Sequence, residues 1–146
     1  MNAGESTIRT LIVDDEVELL DSLKSVLERR EMRVLTSESG ENALDLLKEN
    51  VVDVVVLDIK MPGMDGLEVL KIIKKDYPDI PVLLLTGHPT VESALKGIKL
   101  GANEYIMKPP DVEMLVERIR QAYDQQQEIF AQRQSEKIND IRKRRP

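Results

Sequence analysis

The sequence predicts an α/β domain in which a parallel sheet lies between layers of helices. Three observations predict it. Strand-like apolar runs alternate five times with segments whose hydrophobic residues recur at three- and four-residue intervals. The run VVVL (54–57) and the stretch VLLL within PVLLLT (81–86) are apolar at every position, as expected of strands covered on both faces, a property of parallel sheets. The chain has 146 residues, enough for one domain with a proper core and no covalent staples.

Each element follows in order. Ile8 and LIV (11–13) form a short strand that ends in Asp14, Asp15 and Glu16. Leu19, Leu20, Leu23, Val26 and Leu27 then fall on one side of a first helix. MRVLT (32–36) predicts the second strand, and Ala43, Leu44 and Leu47 the second helix. The third strand, VVVL, runs straight into Asp58 and a Pro62-Gly63 turn. Gly66 precedes a third helix carrying Leu67, Leu70 and Ile73, closed off by Tyr77 and Pro78. PVLLLT is the fourth strand. Thr90 caps a fourth helix with Val91, Ala94, Leu95 and Ile98 on one stripe and Gly101 just past its end. EYIM (104–107) is the last strand, Pro109 and Pro110 break the chain, and Asp111 caps a final helix with Leu115, Ile119 and Ala122 inward.

From Asp111 to about Ile141 there is neither Pro nor Gly, so one continuous helix is allowed, running to roughly 45 Å at about 1.5 Å per residue. Its apolar residues thin out to Ile129, Phe130, Ile138 and Ile141, too sparse for a coiled coil. An isolated helix of that length is marginal in water, so order in its last turns is expected to depend on a partner or a second copy. The expected organisation is a domain over residues 1–124 and a basic helical or partly disordered extension over 125–146, with no output domain and with homodimerisation through the C-terminal helix as one option.

Composition excludes several functions. There is no Cys and a single His, so disulfide frameworks, thiolate metal sites and polyhistidine sites are ruled out, and any metal must be bound by oxygen. No apolar run approaches the roughly 20 residues of a membrane-spanning helix, and MNAGESTIRT lacks a signal core, so the chain reads as cytosolic. A net charge of −6 argues against general nucleic-acid binding. That charge is uneven, about +3 over residues 125–146 and about −9 over the rest. The terminal RKRRP reads first as a solvated basic end.

Ligands of parallel sheets of this kind bind beyond the carboxyl ends of the strands, where strand order reverses. Asp14 and Asp15 follow the first strand, Asp58 ends the third, Thr86 the fourth and Lys108 the fifth, so all five are expected at one sheet edge. Three converging carboxylates raise one another's pKa values unless a cation intervenes. Mg²⁺ suits the set, because it takes a few carboxylate oxygens and accepts phosphate oxygen as well. Lys108 adds a compact positive charge for an anion beside those carboxylates. A carboxylate so placed is a nucleophile toward phosphorus, and Asp58, alone at its strand end, is the candidate. Thr86 supplies a hydroxyl able to donate to a phosphoryl oxygen.

Asp14-Asp15, LDIKMPGMDG, LLLTGH and YIMKPP together resemble the receiver domain of two-component response regulators, over about Ile8 to Tyr123. The resemblance implies the flavodoxin-like, doubly wound five-stranded (βα)5 fold, here with an extended C-terminal helix. It implies that Asp58 accepts a phosphoryl group from a histidine kinase and that the modified state changes binding of a downstream protein. It further implies direct Mg²⁺ ligation by Asp15 and Asp58, a contribution from Asp14 through water, and completion of the set by the backbone carbonyl of Lys60. Lys108 would pair with the phosphoryl group, and its bond to Pro109 is cis in similar proteins. Thr86 and Tyr105 match the pair whose rearrangement signals phosphorylation. The chain then reads as a phosphoacceptor switch rather than an enzyme with its own turnover reaction.

Blander readings compete at each position. Alone, Asp14-Asp15 is a helix N-terminus favouring negative charge; joined to Asp58 and Lys108 it is more than that. Lys108 as a snorkelling surface residue sits poorly with the two prolines after it. Thr86 as a strand end is weighed against the TGH stretch and the resemblance, and Tyr105 as an ordinary half-buried aromatic against the resemblance alone. Lys60 and His88, each two residues past a site residue, either influence water access or are simply solvated. Gly63 and Gly66 are read as serving turn geometry, and Gly87 as leaving room for the loop to close. Other functional readings are a phosphorelay intermediate, a receiver cut from a DNA-binding regulator, and a phosphatase of the haloacid dehalogenase type. The last is disfavoured because that family has an acid where this chain has Lys60.

Overall fold

The structure, a computed structural model, describes residues 7–143. The readings placed on MNAGES at the start and on Arg144, Arg145 and Pro146 at the end lie outside the described residues. The strands are β1 (Arg9–Val13), β2 (Arg33–Ser37), β3 (Val54–Leu57), β4 (Val82–Thr86) and β5 (Glu104–Met107). They alternate with α1 (Val17–Arg29), α2 (Gly40–Glu49), α3 (Gly66–Asp76), α4 (Val91–Lys99) and α5 (Val112–Lys143). All strand pairs are parallel and the order is β2-β1-β3-β4-β5, the flavodoxin-like doubly wound sheet.

Because side chains alternate across a strand, the fully apolar strands feed two cores. Ile12, Val54, Val56, Leu83, Leu85 and Ile106 face α1 and α5, where Leu20, Leu23, Leu27, Leu115 and Ile119 meet them. Leu11, Val13, Val55, Leu57, Val82 and Leu84 face Ala43 and Leu47 of α2 and Val69, Leu70 and Ile73 of α3. Each fully buried Leu, Ile or Val contributes about 1.5–3 kcal/mol relative to exposure, so the three central strands are firmly held.

Local signals set the helix starts. Ser39 and Asp65 accept the N–H groups of Asn42 and Leu67 ahead of α2 and α3. Asp111 Oδ1 accepts the Met114 N–H at the start of α5. Thr90 caps α4 reciprocally with Ser93. The second strand departs by one residue from the MRVLT expectation. Met32 packs into the core from the preceding loop, while Ser37 pairs with Val13.

The fourth helix departs further. Of the stripe Val91, Ala94, Leu95 and Ile98, only Ala94 is half-buried; Val91, Leu95 and Ile98 are solvent-facing, at 78%, 56% and 52% exposure, and Gly97 is the buried residue of the helix. A Cβ on Gly97 would stand 2.5 Å from Leu84 Cδ1, so α4 lies on β4 through a position without a side chain. Periodicity located the apolar face of α4, but backbone approach at Gly97 decides which face is covered.

The last helix has 32 residues and runs unbroken to Lys143. Its buried residues end at Ala122. Beyond that point Arg133 pairs with Asp79 at 2.8 Å, and Phe130 lines a cleft with Tyr123, Ile80 and Val52. Among the described residues no helix is long and apolar enough to cross a membrane.

Candidate functional site

The chain goes from β1 to β2 on one side and then crosses β1 to place β3 on the other, so the order reverses between β1 and β3. Val13 and Leu57 are register partners there. Their successors, Asp14 and Asp58, therefore emerge side by side, with Asp58 N–H donating to the Val13 carbonyl at 2.9 Å. One carboxylate oxygen from each of Asp14, Asp15 and Asp58 lies within 4.8 Å of the others. Asp14 and Asp58 are buried and Asp15 is exposed.

Lys108 enters from the far side of β4. Its N–H donates to the Thr86 carbonyl at 2.8 Å, and its peptide bond to Pro109 is cis. The ammonium lies 2.6 Å from Asp14 Oδ2 and 3.4 Å from both Asp58 Oδ2 and Glu16 Oε1. One cation thus faces three carboxylates, and with Asp15 beside them the local charge is negative. Burial pushes the Asp14 carboxyl up, only partly offset by Lys108 and the Glu16 N–H. Burial and then the neighbouring Asp14 charge push Asp58 up as well. Burial pulls Lys108 down, but contact with Asp14 and attraction to Asp58 and Glu16 leave its pKa raised.

The donor set fits a hard divalent cation. Asp14 Oδ2 is buried, and although Lys108 is near it, no described donor meets it in hydrogen-bond geometry. A buried carboxylate oxygen countered by a single lysine, beside two more carboxylates, is chemistry suited to oxygen-ligated Mg²⁺. Asp14 Oδ1 is held by the Glu16 N–H at 2.9 Å and Asp58 Oδ1 by the Lys60 N–H at 3.4 Å, so both carboxylates are oriented by their own loops.

Thr86 ends β4 fully buried, and its Oγ1 accepts the His88 N–H at 3.1 Å. Tyr105 is half-buried on β5, its hydroxyl 2.8 Å from Ser93 Oγ of α4. Lys60 and His88 are exposed in their loops. The structure thus gathers Asp14, Asp15, Asp58 and Lys108 directly, while Thr86 and Tyr105 stand to one side on β4 and β5.

Three features escaped the sequence reading. Glu16 reaches Lys108, a contact hinted at only by its place in the acid run after β1. Gly66 serves close approach rather than turn dihedrals: a Cβ there would sit 2.1 Å from the Asp58 carbonyl oxygen and 2.6 Å from Ile59 Cα. Gly63, with φ 81, does meet the turn requirement. The Ser93–Tyr105 contact joins residues on separate elements and had no sequence signal.

The arrangement has close relatives. A model of the response regulator receiver domain matches residues 10–120. A putative response regulator NtrX-like of Rickettsia bellii is 40% identical over 119 residues, covering 80% of this chain and 25% of that protein. The crystal structure of a CheY-like receiver domain protein from Methanospirillum hungatei superposes with a TM-score of 0.82 at 32% identity, covering 84% of this chain and 98% of that one. The beryllofluoride-activated NtrC4 receiver domain dimer is similar with a TM-score of 0.77 at 37% identity, covering 81% and 98%. The chain spans a quarter to a half of the length of the curated relatives it matches.

Proposed function

Because the chain belongs to the response regulator receiver family of two-component systems, we propose that Asp58 accepts a phosphoryl group from a histidine kinase and that the modified form binds a downstream protein differently. The observation that carries this reading is the cluster of Asp14, Asp15 and Asp58, each offering an oxygen within 4.8 Å of the others, with Lys108 3.4 Å from Asp58. In the transfer, an Asp58 carboxylate oxygen attacks phosphorus. The bond from phosphorus to the kinase imidazole nitrogen breaks, its electron pair stays on that nitrogen, and an acyl phosphate forms on Asp58. Lys108 neutralises charge on the phosphoryl oxygens and the backbone of β3 holds the nucleophile in place. Asp14, Asp15, Asp58 and the backbone carbonyl of Lys60 would hold Mg²⁺, which when bound supplies countercharge to the phosphoryl oxygens and the carboxylates alike.

Thr86 then moves its hydroxyl from the His88 N–H to a phosphoryl oxygen, and Tyr105 turns inward into the space it leaves. A charge-assisted hydrogen bond contributes about 1.5–3 kcal/mol, enough to reverse a two-state equilibrium of a few kcal/mol. The readout surface is the face of α4, β5 and α5. Val91, Leu95, Ile98 and Met107 are exposed there, which supports a protein partner rather than a nucleic acid. Residues 1–124 form the signalling unit and 125–146 an extension. Exposed Ile129, Phe130, Ile138 and Ile141 along it support contact with a second copy.

The test is mass spectrometry after incubation with a small phosphodonor and Mg²⁺. Wild type gains one phosphoryl group and Asp58→Asn gains none; labelling that persists in the variant removes Asp58 from this role.

A further inference from the structure

One polar contact couples β5 to α4 outside the acidic cluster. Ser93 Oγ and Tyr105 Oη are 2.8 Å apart, joining the first turn of α4 to β5. Resting on the reading of Tyr105 as a switch residue, we propose that Ser93 is a positioning residue that latches Tyr105 against the start of α4 in the unphosphorylated protein.

The same hydroxyl is half of the α4 cap. Ser93 Oγ lies 3.2 Å from the Thr90 N–H, 2.9 Å from Thr90 Oγ1 and 3.1 Å from the Thr90 carbonyl, while Ser93 N–H donates to Thr90 Oγ1 at 3.0 Å. A serine hydroxyl has one proton and two lone pairs, so four neighbours over-subscribe it. Tyr105 therefore competes with Thr90 for Ser93. When Tyr105 leaves, Thr90 still satisfies Ser93, and no polar group of the cap is orphaned. That makes the contact releasable. A hydrogen bond whose loss stranded a buried partner would hold Tyr105 too firmly to switch.

The mechanical setting favours transmission to α4. This helix buries only Gly97 and leaves Val91, Leu95 and Ile98 in solvent, so few contacts oppose a shift of its first turn. Release of Tyr105 then changes the end of α4 that carries Val91, on the face assigned to the partner. An ordinary hydrogen bond biases such an equilibrium by about five-fold.

The contact itself is tested on the unmodified full chain carrying ring-labelled tyrosine. By NMR, Ser93→Ala is expected to shift or broaden the Tyr105 ring signals while those of Tyr77 and Tyr123 stay in place. Thr90→Ala removes the other half of the cap and one competitor for the Ser93 hydroxyl, and is expected to keep Tyr105 in place or hold it more firmly. If Thr90→Ala reproduces the effect of Ser93→Ala, a loosened helix start is the cause and the latch is refuted. The switching role is tested by titrating beryllofluoride, a phosphoryl mimic, in the presence of Mg²⁺. Ser93→Ala and Tyr105→Phe are each expected to bind about five-fold more tightly, and the double variant no more tightly than either, as for two partners of one contact. Independent, additive effects overturn the proposal. If wild type takes up no beryllofluoride, the phosphorylation reading fails and with it the regulatory role, while the NMR comparison still decides separately whether Ser93 holds Tyr105.

Discussion

Asp58→Asn is expected to stabilise the metal-free protein while removing the proposed nucleophile. At an effective dielectric of about 20, Asp14 within 4.8 Å repels the Asp58 charge by about 3.5 kcal/mol. Exposed Asp15 adds only about 1 kcal/mol after screening. Lys108, at 3.4 Å, attracts the same charge by about 5 kcal/mol. These contributions nearly cancel, so desolvation decides. For a carboxylate with solvated acids beside it we take on the order of 2 kcal/mol, below the several kcal/mol of a fully enclosed ion. Asparagine avoids that cost, keeps an acceptor for the Lys60 N–H and leaves Lys108 to Asp14. Urea unfolding at pH 7 with a chelator should therefore show the variant more stable by about 2 kcal/mol. The pH dependence follows from the raised pKa of Asp58: the penalty on wild type is absent below the ordinary aspartate value of about 3.9, grows as pH rises toward the raised folded value, and is complete above it. The gap between the proteins should close in acid. Added Mg²⁺ should stabilise wild type more than the variant, since a ligand that binds only the folded form shifts stability with its affinity. A variant less stable than wild type in chelator, or one with an undiminished Mg²⁺ response, would refute this reasoning.

Lys108→Met leaves the buried carboxylates of Asp14 and Asp58 without their cation and should destabilise the metal-free protein by about 3 kcal/mol, partly restored by Mg²⁺, in the same unfolding assay. Gly66→Ala drives a Cβ into the backbone of Asp58 and Ile59 and should lose about 3 kcal/mol or fail to fold, whereas Gly87→Ala, with nothing nearer than Lys108 Cδ at 3.7 Å, should melt within about 0.5 kcal/mol of wild type. Leu95→Lys, on the exposed face of α4, should leave stability within about 0.5 kcal/mol and instead weaken partner capture by the phosphorylated protein, read by co-purification or calorimetry.

The sheet and its order of elements were legible because the fully apolar runs at 54–57 and 82–85 admit little except a strand covered on both faces. The placing of Asp14 and Asp58 was legible for a related reason. Once β1 and β3 are parallel neighbours, residues that follow Val13 and Leu57 must emerge together. Helix caps at Thr90 and Asp111 are local, and local chemistry suffices to read them. What could not be read depends on distances between segments. The apolar stripe of α4 looks like any inward stripe until Gly97 is seen against Leu84, and the need for glycine at position 66 exists only because the loop after β3 passes within van der Waals range. Met32 moved the start of β2 by packing from a loop, and no periodicity distinguishes that from a first strand residue. Ser93 and Tyr105 meet only because β5 lies beside α4.

These differences divide the molecule into two mechanical parts. The proposed site residues Asp14, Asp15 and Asp58 hang from β1 and β3, whose described residues from Thr10 onward and from Val54 onward are all buried, and whose register holds their ends together. Thr86 is equally buried, but the elements it would act on are not: β5 has one buried residue of four, and the one buried residue of α4 is a glycine. A phosphoryl group bound to the rigid part would change little there, because a packed core resists deformation. On the proposed mechanism the same charge would act through the Thr86 hydroxyl on the least constrained elements of the fold, where one or two hydrogen bonds can choose between states that differ by a few kcal/mol. Filling the space that makes α4 loose is then predicted to silence the output without touching the chemistry. A substitution that adds packing between α4 and β5 should leave phosphorylation of Asp58 at its wild-type rate while reducing the difference in partner affinity between the two forms, and a proportional loss of both would mean that the two parts are not separate.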